Sequence, residues 1–205
     1  PRPYPPMVDD SRPPDPATQV DWLTMTDATS VPAVLRQWQK LCGSRLGRWF
    51  FARAVCRKAP YFATIAPRFL ELAPATCRVS IPKRRAVENH LGTVHALAIG
   101  NLCELVAGMV TEVTIPDTMR WIPRGMTIEY LRRADSEVTA TARLDKNEWR
   151  EAGNVGVPVT VVDARGEEVV RAVITMYVSP RASGEKRRGR ARTDRPEAEG
   201  KRVAA

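Results

Sequence analysis

Both histidines of this 205-residue chain sit in one octapeptide, Asn-His-Leu-Gly-Thr-Val-His-Ala, residues 89–96. Asn89 opens it, Gly92 separates His90 from His95, and an apolar run from Ala96 to Val110 follows, broken by Asn101 and Glu104. These residue types can carry acid–base chemistry. Glu104 stands among Leu102, Cys103, Leu105 and Val106, where burying a carboxylate without a partner is costly. Desolvated there, it would serve as a general base or nucleophile. If a helix begins at His95, the free N–H groups and positive dipole end collect at that point. They would stabilise the oxyanion formed from an ester or thioester carbonyl. Asn89 could hydrogen-bond the same carbonyl or orient the attacking water. Gly100 and Gly108 flank Glu104 at i−4 and i+4. They would let a substrate or another backbone come close, at about 1 kcal/mol each of helix stability relative to alanine. Each residue also has a purely structural reading: a helix-start histidine bonded to backbone, a loop histidine, and glycines that permit tight packing.

Spacing limits how these groups can cooperate. Nine residues along an α-helix are about 900° of rotation and about 13 Å of rise. His95 and Glu104 therefore lie half a turn out of phase and do not meet within one chain. They can meet across a two-fold axis, where an isologous dimer would create two composite sites at once.

The elements that must hold this motif follow from periodicity. Val34, Leu35, Trp38, Leu41 and Cys42 follow helical spacing from about Val31. The basic, amphipathic stretch RWFFARAVCRKAPYFATIAPRFLEL (48–72) continues a helical segment, giving a helical region 31–74. Its charges suit either solvent or a membrane surface. From Cys77 the period changes to two: CRVSIP reads as a strand, with RRAVEN alternating after it. The run 96–110 is apolar almost all round, as a buried central helix must be, and Pro116 ends it. Then come WIPRGMTIEYL, with Met126, Ile128 and Tyr130 on one face, and SEVTATARL, alternating Val138, Ala140, Ala142 and Leu144. VGVPVTVVDARGEEVVRAVITMYVS reads as two strands joined by a hairpin at residues 163–166. A strand, a buried helix and a meander make an α+β domain, one antiparallel sheet curled around one helix, over residues 75–180.

Composition bounds the rest. Residues 1–16 hold seven of the 17 prolines, so 1–30 is read as a loosely docked or disordered start. The net charge is +9, of which +5 falls in 181–205, with nine Lys/Arg against four Asp/Glu. That segment reads as a basic disordered tail, capable of weak contact with anionic surfaces but not of specific nucleic-acid recognition. No run reaches the length of a membrane span, and the start lacks a secretory apolar region. Cys42, Cys56, Cys77 and Cys103 lack metal-binding spacing and sit in apolar surroundings. A cytoplasmic protein with no metal or cofactor is expected.

The stretch NHLGTVHALAIGNLCE resembles the motif region of hotdog-fold thioesterases of the phenylacetyl-CoA thioesterase type. There an Asn, a Gly-x-x-His-Gly-Gly and an acidic residue nine positions after the histidine recur; Asn89, Gly92, His95 and Glu104 stand at those spacings. GMTIEYLRRADSEVTATARL and VTVVDARGEEVVRAVITMYV are similar to the family's strand pair and closing hairpin. The pairing of WIPRGMTIEYL with NHLGTVHA is similar to a branch known mainly as an uncharacterised domain. The resemblance spans about residues 33–180. It implies a hotdog fold with extra N-terminal helices, assembled as a homodimer or dimer of dimers and acting on acyl thioesters such as acyl-CoA. Glu104 would then be the base or nucleophile. His95 would mark the turn that polarises the carbonyl, and Asn89 of the same protomer would bind the carbonyl or the water. His90 has no counterpart in the motif.

One departure stands out. Where the family has two glycines after the histidine, this chain has Ala96 and Leu97. The Ala96 N–H can still donate to an oxyanion, but the added Cβ atoms narrow the approach. Three readings remain open: a thioester hydrolase; a protein that binds acyl thioesters or fatty acyl groups without hydrolysing them; and a hotdog hydratase or dehydratase, for which a D-x-N-P-x-H signature is missing. Arg120, Arg124, Arg132 and Arg133 could form a basic rim for the phosphates of CoA.

Overall fold

The computed structural model describes residues 31–144 and 152–181. The expectations for the proline-rich start and for the tail from 182 onward lie outside the described residues. Helix α1 (Ala33–Leu41) and helix α2 (Arg45–Lys58) form a tight corner. Ser44 caps α2, its Oγ accepting from the Gly47 N–H at 3.0 Å, which satisfies one of the N–H groups a helix start leaves open. Gly47 is required at this corner, because a Cβ there would run into the Leu41 carbonyl.

The helical segment is shorter than expected. After a 3-10 turn (Pro60–Ile65), strand β1 (Arg68–Ala73) runs where the sequence reading continued the helix to 74. Pro60 and Pro67 interrupt the helical ladder, and RFLELA then turns Phe69 and Leu72 inward, three positions apart because the register shifts between Phe69 and Glu71. Residues 74–75 turn the chain, with Ala75 at φ 70°, into β2 (Thr76–Ile81). The sheet thus begins before residue 75. RRAVEN is not a strand either. It holds a 3-10 turn (Arg85–Val87) and a single bridge, Glu88 to Val94.

Helix α3 (Ala96–Thr114) is the buried helix expected from its all-round apolarity. Its 19 residues are long and apolar enough to cross a membrane, yet most of that length is buried inside the protein. Four strands follow it: β3 (Met119–Tyr130), β4 (Val138–Arg143), β5 (Gly153–Val162) and β6 (Glu168–Pro180). They join the first two in one six-stranded sheet, ordered β1-β2-β4-β5-β6-β3, with every neighbouring pair antiparallel. Each strand touches α3, so the sheet curls around the helix as expected. Alternation sends Val138, Ala140, Ala142 and Leu144 inward, together with Val157, Val159, Val161, Ile174 and Met176. The β5–β6 hairpin closes at residues 163–166 as read, with Gly166 at φ 83° and the buried Asp163 carboxylate accepting from the N–H groups of Arg165 and Glu167.

Helices α1 and α2 reach this sheet through an aromatic cluster. The Trp38 and Phe51 rings stand edge to face at 5.1 Å, and Phe51 meets Phe69 of β1 at 5.0 Å. The helices therefore cover β1, one of the two outer strands, and leave β3 at the opposite edge. Phe51 is fully buried and its neighbour Phe50 is half exposed, which separates two variants sharply. Phe51→Ala is expected to cost about 3–5 kcal/mol in a denaturant titration, whereas Phe50→Ala should stay within about 1 kcal/mol of the parent.

Candidate active site

Residues 89–95 form a pinned turn. The Asn89 N–H donates to the Thr93 carbonyl (2.9 Å) and the Gly92 N–H to the Asn89 carbonyl (3.0 Å). Gly92 sits at φ 70°, a left-handed backbone that side chains disfavour. The turn is fixed to its surroundings by the His95 N–H on the Val87 carbonyl (2.7 Å) and the Val94 N–H on the Ala134 carbonyl (2.8 Å). The Asn89 side chain belongs to this frame. Its Oδ1 accepts from the N–H groups of Leu91 (2.9 Å) and Thr93 (3.2 Å), and its Nδ2 donates to Thr93 Oγ1 (2.9 Å). The expected direct role of Asn89 on a carbonyl or water is therefore reduced to one remaining Nδ2 hydrogen. Its main work is to shape the turn.

His95 caps α3, as expected for a helix start. Its Nδ1 accepts from the Leu97 N–H at 3.0 Å, which places the proton of the neutral ring on Nε2. The His95 carbonyl takes the N–H groups of Ala98 and Ile99. Ala96, the first helical residue, has an N–H with no partner among the described residues, which leaves a donor at the positive end of the helix. Its carbonyl accepts from the Tyr130 hydroxyl at 3.2 Å. Burial, with a smaller push from Cys103, raises the Tyr130 phenol above its ordinary pKa, so it stays a donor at neutral pH. Tyr130 was legible only as one residue of an apolar strand face. Its reach to the helix start depends on β3 lying alongside α3.

Glu104 is half-buried in the middle of α3 and has no hydrogen-bond or ion-pair partner among the described residues. Its neighbour Cys103 is buried, which pushes the thiol up to about 12 and leaves it inert as a nucleophile. The reading of Gly108 as room for a substrate is corrected by the structure: a Cβ there would come within 2.9 Å of the Trp121 ring of β3. At Gly100 the Ile128 side chain stands 3.4 Å from where a Cβ would lie, an ordinary packing distance. The Trp121 ring is held across the helix by Nε1 donating to Glu112 at 2.8 Å.

Sequence reasoning missed a cavity of about 230 Å³ between the 3-10 turn at 60–65, residues 86–88 and the start of α3. His95 and Asn101 line it with Tyr61 and Thr64; Asn89 and Glu104 do not. Asn101 Nδ2 donates to Thr64 Oγ1 (3.3 Å), while its buried Oδ1 has no partner among the described residues. The signal present in the sequence was an asparagine inside an apolar run. Of the four arginines proposed as a rim, Arg132 pairs with Glu167 at 2.7 Å, Arg124 lies over the Tyr177 ring, and Arg120 bonds Ser179. No group of three or more His, Cys, Asp or Glu side chains suited to a metal occurs among the described residues.

The family model for a domain of unknown function (DUF4442) matches residues 47–178. The crystal structure of a genomics target, APC5556, is 44% identical, with a TM-score of 0.65, covering 72% of this chain and 98% of that one. A Pseudomonas aeruginosa protein of unknown function, described as a probable thioesterase, is 21% identical (TM-score 0.58; 63% of this chain, 93% of that one). A Haemophilus influenzae thioesterase is 12% identical (TM-score 0.55; 62% and 87%). At such identities the last two likenesses establish the fold, the hotdog. No curated protein matches the sequence.

The role of Asn89 as the keystone of the turn has a direct check. Asn89→Asp keeps the Oδ1 acceptor and should leave unfolding free energy within about 1 kcal/mol of the parent. Asn89→Ala abandons the Leu91 and Thr93 N–H groups and should cost about 1–3 kcal/mol, read by denaturant titration.

Proposed function

The chain belongs to the DUF4442 family and carries a hotdog fold, and from that premise we propose that it is an acyl-thioester hydrolase whose reaction centre is shared between two protomers. The observation that carries this reading is the carboxylate of Glu104, unpartnered among the described residues, on the same helix as a free oxyanion donor at Ala96 but about 12 Å further along its axis, too far for the two to cooperate within one chain. In the proposed reaction Glu104 of one protomer takes a proton from water as the oxygen attacks the thioester carbonyl carbon. The Ala96 N–H and helix dipole of the other protomer hold the oxyanion. Collapse of the tetrahedral intermediate breaks the carbon–sulfur bond, and the departing sulfur takes back the proton held on Glu104, so the thiol and the carboxylic acid are released and the base is restored. His95 positions the donor by capping the helix, and Asn89 does so by shaping the turn. The names of the structural neighbours support the reaction class.

The second protomer has a natural place to dock. Among the described residues strand β3 pairs only with β6, so its other edge, along a strand of 12 residues, offers unpaired backbone groups. Exposed Ile122, Met126 and Tyr130 lie along it, and Leu97, 71% exposed, sits nearby at the helix start. Pairing β3 with its two-fold copy would cover this surface and bring the two α3 helices together as an isologous dimer. A homodimer or a dimer of dimers satisfies this geometry. Acyl-CoA is the proposed substrate class.

A second reading rests on one feature. Ala96 and Leu97 stand where the resembling thioesterases carry glycines, and their side chains crowd the approach to the oxyanion donor. This favours a protein that holds an acyl thioester without cleaving it. Release of free thiol from short, long and aromatic acyl-CoAs separates the two. The hydrolase reading expects turnover on at least one substrate, falling by about 10²-fold or more in Glu104→Ala. Tight binding with no thiol release on any of them would leave the non-hydrolytic reading.

A further inference from the structure

Helix α2 carries a surface that neither the fold nor the proposed reaction uses. Its buried side, with Phe51 and Ala52, packs on β1. On the opposite side, Leu46, Trp49, Phe50, Arg53 and Arg57 follow one another at i, i+3, i+4, i+7 and i+11 and share one stripe. A solvent-facing stripe is normally polar. Here Leu46 is 63% exposed, Trp49 51% and Phe50 52%. The Trp49 and Phe50 rings stand edge to face at 4.9 Å, and the Arg53 guanidinium lies over Trp49 at 5.0 Å. The helix has five basic residues and no acidic one.

Behind this ridge lies a cavity of about 580 Å³ between α2 and β1, lined by Trp49, Leu70, Arg45, Arg48 and Arg68 among others. Arg68 is engaged by Glu137 at 2.8 Å. Among the described residues Arg45 has no side-chain partner and the buried Nε of Arg48 has no hydrogen-bond acceptor. Two uncommitted guanidinium groups beside an exposed aromatic ridge match a phosphate-bearing, apolar-cored surface. Arginine binds phosphate through fixed, directed donors, and aromatic side chains with basic flanks settle at the interface of an anionic bilayer.

We infer that α2 docks this protein on anionic phospholipid membranes, with Leu46, Trp49 and Phe50 entering the interface and a lipid phosphate seated against Arg45 and Arg48. Charge decides the occupant: a second copy of this chain would bring five more cations against the first five, whereas an anionic lipid surface neutralises them. The test is co-sedimentation of the full-length chain with phosphatidylcholine vesicles, with and without phosphatidylglycerol. Binding is expected only with the anionic lipid and should weaken as salt rises. The combined Leu46→Ser, Trp49→Ser, Phe50→Ser variant should bind at least about tenfold more weakly, the scale of losing one buried apolar side chain. Arg45→Glu with Arg48→Glu, which reverses the charge of the proposed phosphate seat, should do the same while the apolar ridge is intact. Unchanged circular dichroism and melting temperature show that the variants fold. Three results would overturn the inference: no binding of the parent to anionic vesicles, binding that survives in both variants and so belongs to another segment such as the basic tail, or a smaller mass by light scattering for the serine variant, which would mean the ridge is buried against a second copy.

Discussion

A helix that is apolar on every side has to be surrounded, and most of this architecture follows from that requirement. Buried residues of α3 lie all round its axis, with Leu102, Leu105 and Val106 on one side and Ala107, Gly108 and Thr111 on the other, so a flat layer could cover only part of it. A single antiparallel sheet meets the requirement by curling until all six strands touch the helix. Each Å² of apolar area this contact removes from water contributes about 25 cal/mol to folding. The glycine at position 108 follows from it, because β3 passes close enough that the Trp121 ring occupies the space a side chain would need.

The same burial shapes the chemistry. A carboxylate on such a helix is stable only where the sheet leaves it partly uncovered, and Glu104 occupies such a place. The helix start is held in position by other means: a turn built around Asn89 and Gly92, a histidine cap, and a tyrosine reaching across from β3. One end of the helix supplies a donor and its middle supplies a base. The rigid rise and twist of the helix keep them apart, so in the proposed reaction a second protomer completes the site. Strand β3 is central to that proposal, since its inner face covers α3 while its outer edge is open to pairing.

How much of this was legible in the sequence depended on how local the signal was. Helix α3 and the β5–β6 hairpin declared themselves, the first by a long apolar run ended before Pro116, the second by alternation around a turn at residues 163–166. Strand β1 did not, because RFLELA follows a helical stretch directly and is too short for its period to stand out. Pro67 was the available cue. RRAVEN misled in the opposite direction: it alternates, but the chain there serves to brace the turn and makes only one bridge. The glycines beside Glu104 were read correctly as a place of close approach, but the occupant, a strand some 20 residues later, was a long-range fact that periodicity does not carry. The cavity at Asn101 and the reach of Tyr130 to Ala96 likewise depend on contacts between distant segments.

The central claim is that the base and the oxyanion donor come from different protomers, and complementation between two defective chains tests it most directly. Glu104→Ala and Ala96→Pro, which removes the donor N–H at the first helical position where proline is tolerated, would be co-expressed with different tags and purified as the mixed dimer. Each variant alone is expected to release negligible thiol from acyl-CoA, while the mixed dimer regains activity, because one of its two composite sites then has both groups intact. A mixed dimer as inactive as its parents, beside an active wild-type protein, would contradict the claim.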